Sequence, residues 1–209
     1  MSATPSEFPP QIAGATEHAV EKLLDVAADE YTTAGVKQTS IAEIARQAGV
    51  PVEAVHRRWS NVEELLTAVV VRDLHSHIAD VHRSVDCLSD TDDQIAEVFA
   101  SVLWFLDGHP LVGGAIRSDA DVILPRAAVS VAPIIGAAVA FVVDAIRTIV
   151  LGAGGRSIDT EVLTELLTRL VQSILLTRGR ATVLTTRSDV TRYASQCVVP
   201  LVNTLGTSS

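Results

Sequence analysis

The sequence has 209 residues and a formal net charge of −9 at pH 7, and only 4% of its residues are aromatic. This length is enough for one or two domains whose core is built mainly from aliphatic side chains. The negative charge argues against a protein that coats nucleic acid without sequence preference. Two cysteines, Cys87 and Cys197, are too few for a disulfide framework, and we expect a reducing, cytoplasmic compartment.

Residues 1–14 are polar and rich in proline, so we expect a disordered N-terminal arm rather than a signal peptide. A first helix is predicted from about Ala15 to Thr33, with Thr16 as its N-cap. Apolar residues at helical spacing predict its buried face: Val20, Leu23, Leu24, Ala27, Ala28 and Tyr31. The opposite face is acidic and is expected to face solvent.

Residues 39–59 predict two short helices separated by a tight break. Ser40 and Glu43 have the spacing of a capping box, which places a helix start at Ser40. Gly49 suits the left-handed residue that ends such a helix, and Pro51 suits the first turn of the next one. This pattern indicates a helix-turn-helix whose second helix can enter the DNA major groove, although a plain helical hairpin in a core fits the pattern equally well.

The flanking residues distinguish these alternatives, because the stretch from Thr16 to Val70 resembles the TetR family of transcriptional repressors. The resemblance lies in Tyr31 and Gly35, Thr39-Ser40, Ile41-Ala42, Ile44-Ala45, Ala48-Gly49-Val50, Trp59 and Glu63-Glu64-Leu65-Leu66. It implies an all-α fold, with a three-helix DNA-binding domain at residues 15–62 and a larger helical effector-binding and dimerisation domain at residues 63–209. It also implies a homodimeric repressor that leaves a near-palindromic, double-stranded DNA operator when a small molecule binds.

Four positions depart from the family pattern. Pro51, His56, Trp59 and Val62 stand where Ser or Thr, Tyr, Phe and Lys are usual. Those positions commonly touch phosphate or brace the recognition helix, so the phosphate contacts of this chain are expected to differ from the usual set.

The predicted DNA contacts combine the start of the first short helix with the second helix. Arg57 and Arg58 are assigned to phosphate or guanine, and Thr39 to phosphate at its helix start. His56 would bind phosphate or simply fill the usual Tyr position. The complete predicted set is Thr39, Ser40, Pro51, Val52, Glu53, Ala54, His56, Arg57 and Arg58.

A long helix is predicted from Ser60 to about Asp86, and Ser60 and Glu63 have the spacing of a second capping box at its start. In the resembling family this helix links the two domains and transmits the ligand signal. It carries His75, His77 and His82, but His75 and His77 lie about 200° apart around a helix and cannot bind one ion together. We therefore expect neither a metal nor a cofactor.

The effector pocket is predicted from the residues that follow. Thr91 is expected to cap the next helix, and residues 110–119 are predicted to form a short helix loosened by Gly113-Gly114. In the resembling family the equivalent region lines or gates the effector pocket. Residues 127–143 are uncharged, but Pro133 and Gly136 interrupt them, so a buried helix of a soluble bundle is favoured over a membrane span. A kink at Pro133 should leave an apolar pocket beside it, which predicts a lipophilic effector.

The predicted pocket residues are Phe99, Leu103, Trp104, Ile116, Ile134 and Phe141, and ordinary core packing is the alternative for each aromatic residue among them. Two amphipathic helices, Asp159 to about Arg178 and Ser188 to Leu205, close the chain, and Pro200 is expected to bend the last turn. The resemblance implies that these helices pair with their copies as a four-helix bundle. The predicted dimerisation residues are Leu163, Leu167, Leu170, Ile174, Tyr193, Cys197 and Leu201.

Two other functions are considered. An enzyme is disfavoured, because the sequence has neither a G-x-S-x-G elbow nor an H-E-x-x-H metal motif. A helical small-molecule-binding protein that has lost specific DNA binding is the main alternative. It is favoured by the seven acidic and five basic residues from Thr16 to Val62, and by the absence of Lys at Val62.

Overall fold

The computed structural model describes residues 17–112, 124–155, 157–176 and 184–206, and these are mostly helical. Within those ranges there is no strand, and one isolated antiparallel bridge joins Ile158 to Gly206. The predicted all-α class is confirmed. The helices are α1 (Glu17–Thr33), α2 (Ile41–Ala48), α3 (Val52–His56), α4 (Val62–Asp86), α5 (Thr91–Gly108), α6 (Leu124–Gly152), α7 (Thr160–Leu176), α8 (Arg187–Tyr193) and α9 (Val199–Leu205), with a 3-10 turn at Val36–Gln38 and a π-helical turn at Ala194–Val198.

The chain forms two compact units, Met1–Val69 and Val70–Ser209, which divide within α4. In the first unit α1 packs against α2, and α2 packs against α3. Its buried residues include Leu23, Leu24, Ala27, Tyr31, Ile41, Ile44, Ala45, Ala48, Val55 and Trp59. This core follows the apolar spacing of the three helices, and it leaves one side of α3 at the surface of the unit.

In the second unit α5 is the central helix, because it packs against α6, α8 and the π-helical turn. Its apolar residues cover most of its circumference. Ser101 is a buried polar residue in this helix, and its hydroxyl donates a hydrogen bond to Glu97 Oε1 at 2.9 Å. Arg187, at the start of α8, donates to the same two side chains, so a polar contact joins α8 to α5 beside the apolar packing.

Two helix caps lie one residue away from their predicted positions. Asn61 caps α4 by accepting a hydrogen bond from the Glu64 N–H at 2.8 Å, and the Glu64 carboxylate accepts from the Ser60 N–H at 2.7 Å. Asp90 caps α5 by accepting from two backbone N–H groups of its first turn. The predicted caps Ser60 and Thr91 are therefore wrong, because Asn and Asp cap helices as well as Ser and better than Thr.

The stretch Val131–Gly152 of α6 is long and apolar enough to cross a membrane, by length and composition alone. Its buried residues pack against α5 and α7, but its other side, which includes Pro133 and Gly136, is exposed. The helix predicted to be buried is therefore buried on one side and exposed on the other over residues 131–152. Small residues such as Ala and Gly make a sequence apolar while exposing little apolar area, so the composition overstated the burial.

A π-helical turn interrupts the C-terminal helical segment between α8 and α9. The N–H of Val199 bonds to the carbonyl of Ala194, five residues earlier. Pro200 follows directly and has no N–H to donate, so the regular ladder of hydrogen bonds is already broken there. Pro200 thus lies in the first turn of α9, directly after this π-helical distortion.

Candidate functional site

The break between α2 and α3 is built by three local features. Ser40 Oγ accepts a hydrogen bond from the Glu43 N–H at 3.2 Å, which satisfies a free donor at the start of α2. Gly49 ends α2 with a φ of 72°, a left-handed conformation that glycine adopts without steric cost. Pro51 precedes α3 with a φ of −58°, the value that its ring enforces. The structure therefore has the break at the residues where the sequence predicts it.

One side of α3 and of the turn after it is exposed, and we call it the outer face. It consists of Glu53, His56 and Arg57. The Arg57 N–H donates to the Glu53 carbonyl at 3.1 Å, so helical geometry continues to Arg57. The opposite side is buried through Ala54, Val55 and Trp59. Of the other predicted contacts, Ser40 and Pro51 are also exposed, and Val52 is half-buried.

Three predicted DNA contacts do not lie on this exposed surface. Thr39 is 9% exposed, and its hydroxyl donates to the Gly35 carbonyl at 3.0 Å, so it holds the loop before α2 in place. Ala54 is 6% exposed and belongs to the core. Arg58 lies over the ring of Trp59, with 5.0 Å between its guanidinium carbon and the ring centroid. Thr39 and Ala54 are therefore corrected to structural residues, because their side chains are buried. Arg58 is corrected only as a base contact, because its stacking on Trp59 holds it away from the outer face.

Some charged side chains around the break already form ion pairs within the protein, and others do not. Arg46 and Glu43 form an ion pair on α2, with 2.5 Å between Nη2 and Oε1. Hydrogen bonds from Arg46 and then Gln47 lower the pKa of Glu43 to about 2, so this carboxylate is ionised at neutral pH. Arg57, in contrast, has no side-chain hydrogen bond or ion pair with any residue that the structure describes. Its charge is therefore available to a partner.

Tyr31 fixes the start of α4, a contact that the sequence did not predict. Its hydroxyl donates to the Val62 carbonyl at 3.1 Å, and the residue is 3% exposed. Burial, with a smaller contribution from the Glu63 carboxylate, raises the pKa of Tyr31. The apolar spacing identified Tyr31 as a core residue. A hydrogen bond could have been expected from that burial, because a buried phenol needs an acceptor.

A small cavity lies among α5, α6 and α7 in the second unit, with a volume of about 10 Å³. Its lining is entirely apolar and consists of Phe99, Val102, Leu103, Leu106, Ala138, Val139, Val142, Leu167 and Val171. A cavity of this size holds at most one water molecule, whereas a drug-sized ligand occupies a pocket of roughly 300–1,000 Å³. The lining side chains must therefore move apart before a ligand can enter.

Two of the predicted pocket residues, Phe99 and Leu103, line this cavity, and the other described ones do not. Trp104 is 36% exposed and Ile134 is buried elsewhere along α6. The ring of Phe141 meets His82 edge-on, with 5.7 Å between the centroids. Ile116 lies outside the described residues.

Among the described residues this cavity lies more than one helical turn beyond Pro133, beside residues 138–142, and the pocket expected beside Pro133 stays a prediction. Seven lining residues were not predicted, and two of them, Leu167 and Val171, belong to α7, which the sequence did not assign to the pocket. Their apolar spacing was visible, but spacing does not show whether a helix faces its own core or a second chain.

A polar seam between α4 and α5 was likewise not predicted. His109 Nε2 lies 3.2 Å from Asp73 Oδ2, and its Nδ1 accepts a hydrogen bond from the Leu111 N–H at 3.3 Å. Phe105 lies between His109 and His77, with ring centroids 5.2 and 5.0 Å away. Two of the three histidines considered as metal ligands thus contact α5 or α6 through aromatic rings, His77 here and His82 at Phe141.

The apolar outer side of α7 differs from the predicted dimer face. Leu163 and Leu167 are fully buried within the protomer at 0% exposure, so they are corrected to core residues. Val162 and Leu166, one position earlier, are exposed at 40% and 37%. The other predicted dimer residues keep accessible area: Leu170, Ile174, Tyr193 and Leu201 are half-buried, and Cys197 is exposed.

Comparisons with known proteins agree with the geometry of the first unit. Residues 23–69 match the model for bacterial regulatory proteins of the tetR family. A Mycobacterium tuberculosis protein described as an uncharacterised HTH-type transcriptional regulator is 33% identical over 98 residues, 47% of this chain and 50% of that protein. The chain thus spans about half the length of the curated relatives that it matches.

Solved structures show the same fold at low sequence identity. RolR in complex with resorcinol has a TM-score of 0.61 at 17% identity, over 89% of this chain and 88% of that chain. The fatty acid degradation regulator FadR from Bacillus halodurans has a TM-score of 0.55 at 12% identity, over 88% of this chain and 96% of that chain. The predicted fold, an N-terminal helix-turn-helix domain followed by a larger helical domain, is confirmed.

Proposed function

This chain belongs, through residues 23–69, to the tetR family of bacterial regulatory proteins, and from that premise we propose that it is a cytoplasmic, homodimeric, ligand-responsive transcriptional repressor. The observation that carries the proposal is the exposed outer face of α3 directly after a helix-turn-helix break. A two-fold dimer would present two such faces to successive major grooves, so the operator is expected to be near-palindromic.

The DNA contacts we propose are the exposed residues at the two helix starts and on the outer face. Ser40 and Pro51 begin α2 and α3, where backbone N–H groups and small side chains suit contact with the sugar–phosphate backbone. His56 and Arg57 are exposed beside each other, and Arg57 supplies a positive charge without a partner in the described part of the chain. The base contacts are treated in the next subsection.

The dimer is proposed to form through the outer side of α7 together with α8 and α9. Val162 and Leu166 expose apolar area there, and Leu170 continues the same row at four-residue spacing. Exposed aliphatic residues aligned on one face indicate a surface that another apolar surface covers. A second copy of this chain is the occupant that a near-palindromic operator requires.

The effector is proposed to be a small lipophilic molecule that opens the cavity between α5, α6 and α7. The lining has no polar residue, so it favours aliphatic or aromatic groups. α5 lines the cavity with Phe99 and Leu103, and it contacts α4 through Phe105 and His109. Displacement of α5 by a ligand would therefore shift α4, the helix that continues into the DNA-binding domain. Coupling between effector and DNA binding is typically worth about 1–3 kcal/mol.

The first test is a titration of the purified full-length protein against the DNA upstream of its own gene and against a random duplex pool, each at two salt concentrations. Saturable, sequence-dependent binding supports the regulator. Weak binding that disappears with added salt, together with no enriched sequence in the pool, would instead support a helical binding protein without specific DNA recognition.

The effector site is tested on the operator complex with a panel of aliphatic and aromatic lipophilic compounds. Ala138→Leu fills the cavity and should abolish release by a compound that releases the wild type, while operator affinity stays near wild type. Ala132→Leu, on the exposed side of α6, is the matched control and should leave release unchanged. Equal release of wild type and Ala138→Leu would show that the compound binds elsewhere.

A further inference from the structure

We propose that Glu53 and Arg57 together read G·C base pairs in each operator half-site, Arg57 through guanine and Glu53 through the amino group of cytosine. The inference rests on the proposed DNA binding and adds the bases that the outer face selects. It also separates the roles of two adjacent arginines that the sequence alone does not distinguish.

The first step is the placement of the two side chains. Glu53 and Arg57 are four residues apart, and the hydrogen bond from the Arg57 N–H to the Glu53 carbonyl keeps this spacing helical. Their Cβ atoms are therefore neighbours at about 5–6 Å on one face. Base pairs stack about 3.4 Å apart along one strand, so the two side chains reach the same base pair or adjacent ones.

The second step is that neither side chain is engaged within the protomer. Both residues are exposed, and neither forms a side-chain hydrogen bond or ion pair with any part of the chain that the structure describes. Glu43 and Arg46 on α2 show the contrast, because that carboxylate and guanidinium are already paired with each other. The outer face thus offers one free acceptor group and one free donor group.

The third step is chemical. A carboxylate that faces DNA is repelled by phosphates, so Glu53 is tolerated in the interface only where a base donates to it. In the major groove the amino group of cytosine is the donor that Glu or Asp typically accepts from, and the guanidinium of Arg matches guanine O6 and N7 with two hydrogen bonds. One G·C pair, or two adjacent ones, supplies both partners.

The fourth step excludes Arg58 from base reading. Each residue turns a helix by about 100°, which carries Arg58 from the outer face toward the side of Ala54 and Val55. Its guanidinium lies over the ring of Trp59, and the residue is half-buried. A stacked arginine keeps its in-plane donors, so Arg58 is positioned at the flank of α3, where it stabilises Trp59 and meets phosphate rather than base edges.

The inference is tested by selecting binding sites from a random duplex pool with the full-length wild type and four variants. Arg57→Ala should lose the guanine preference at one position of each half-site and weaken binding to the wild-type operator by roughly 10- to 100-fold. Glu53→Gln should change the preferred base from cytosine to adenine at its position, because Gln pairs with adenine N6 and N7. Arg58→Ala should weaken all sequences about equally and leave the selected motif unchanged.

Lys22→Ala is the charge-matched control, since it removes one positive charge from an exposed residue of α1 and should not alter the motif. Circular dichroism of each variant checks the fold. A wild type that enriches no motif would overturn the proposed function and this inference together. A wild-type motif that Arg57→Ala and Glu53→Gln both leave unchanged, or that Arg58→Ala alters at a guanine, would overturn this inference alone.

Discussion

Replacing Leu167 by Ala tests whether α7 faces its own core through the residues that the structure assigns. Leu167 is 0% exposed and lines the cavity between α5, α6 and α7. The substitution removes three carbon groups, which at about 0.8 kcal/mol each gives a transfer cost of about 2.4 kcal/mol. The space joins an existing cavity and cannot fully collapse, so the total loss in free energy of unfolding should be about 3–4 kcal/mol, within the range measured for buried Leu→Ala changes.

The assay is urea denaturation of the 209-residue chain followed by far-UV circular dichroism, at one protomer concentration because unfolding of the proposed dimer would depend on concentration. Leu166→Ala is the matched control. Leu166 is 37% exposed, so this change should cost the protomer less than about 1 kcal/mol but weaken the dimer in sedimentation equilibrium. The placement of α7 is refuted by the opposite result. In that case Leu167→Ala would cost less than about 1 kcal/mol and dissociate the proposed dimer, whereas Leu166→Ala would cost more and leave the dimer intact.

Four further substitutions test three local interactions by the same denaturation assay. Tyr31→Phe removes the hydrogen bond to Val62 and should cost about 1 kcal/mol at pH 7. Burial raises the folded pKa of Tyr31, so the unfolded chain loses this proton first and wild-type stability should fall as the pH rises above about 10; Tyr31→Phe should lessen that fall, and an identical alkaline profile would contradict the assignment. Gly49→Ala places a side chain at a φ of 72° and should cost about 1–2 kcal/mol, whereas no change would show that the turn relaxes. Asp90→Ala should lower the free energy of unfolding by about 1 kcal/mol, because it removes the cap of α5, and Thr91→Ala should lower it much less. A larger loss for Thr91→Ala than for Asp90→Ala would identify Thr91 as the cap.

The helix-turn-helix was predictable from the sequence because each of its determinants is local. Ser40 accepts from a backbone group three residues later, and Gly49 ends α2 by its own conformational freedom. The caps of α4 and α5 were less certain for a physical reason. Neighbouring residues such as Ser60 and Asn61 both have suitable oxygen atoms, and only the backbone conformation decides which one caps.

The cavity and the exposed apolar side of α7 were only partly predictable because they depend on how helices pack. α5 is apolar around most of its circumference, so periodicity does not separate Leu103, which lines the cavity, from Trp104, which is exposed. On α7 the apolar residues form a broad band. Leu163 and Leu166 both belong to it, and only the packing of α7 against its neighbouring helices buries the first and leaves the second exposed.

Under the proposed function, the charges of the first unit account for how an acidic domain would recognise DNA. Five basic residues lie between Thr16 and Val62, but Arg46 is paired with Glu43 and Arg58 is stacked on Trp59. A dimer with about two phosphate contacts per protomer would neutralise about four phosphates, and at roughly −0.9 per phosphate the slope of log K against log salt is about −3.6.

Affinity for the operator should then fall only about 150-fold between 50 and 200 mM salt, compared with roughly 10³- to 10⁵-fold for proteins that make six to ten phosphate contacts. Such a protein gains little from the DNA backbone at any sequence, so its binding energy must come mainly from base edges and from the fit of two linked half-sites. A measured slope of log K against log salt steeper than about −6 would mean that cations other than Arg57 and Arg58 also contact the DNA backbone. Binding energy would then come mainly from phosphate, which contradicts the assignment of Arg57 to bases and Arg58 to phosphate.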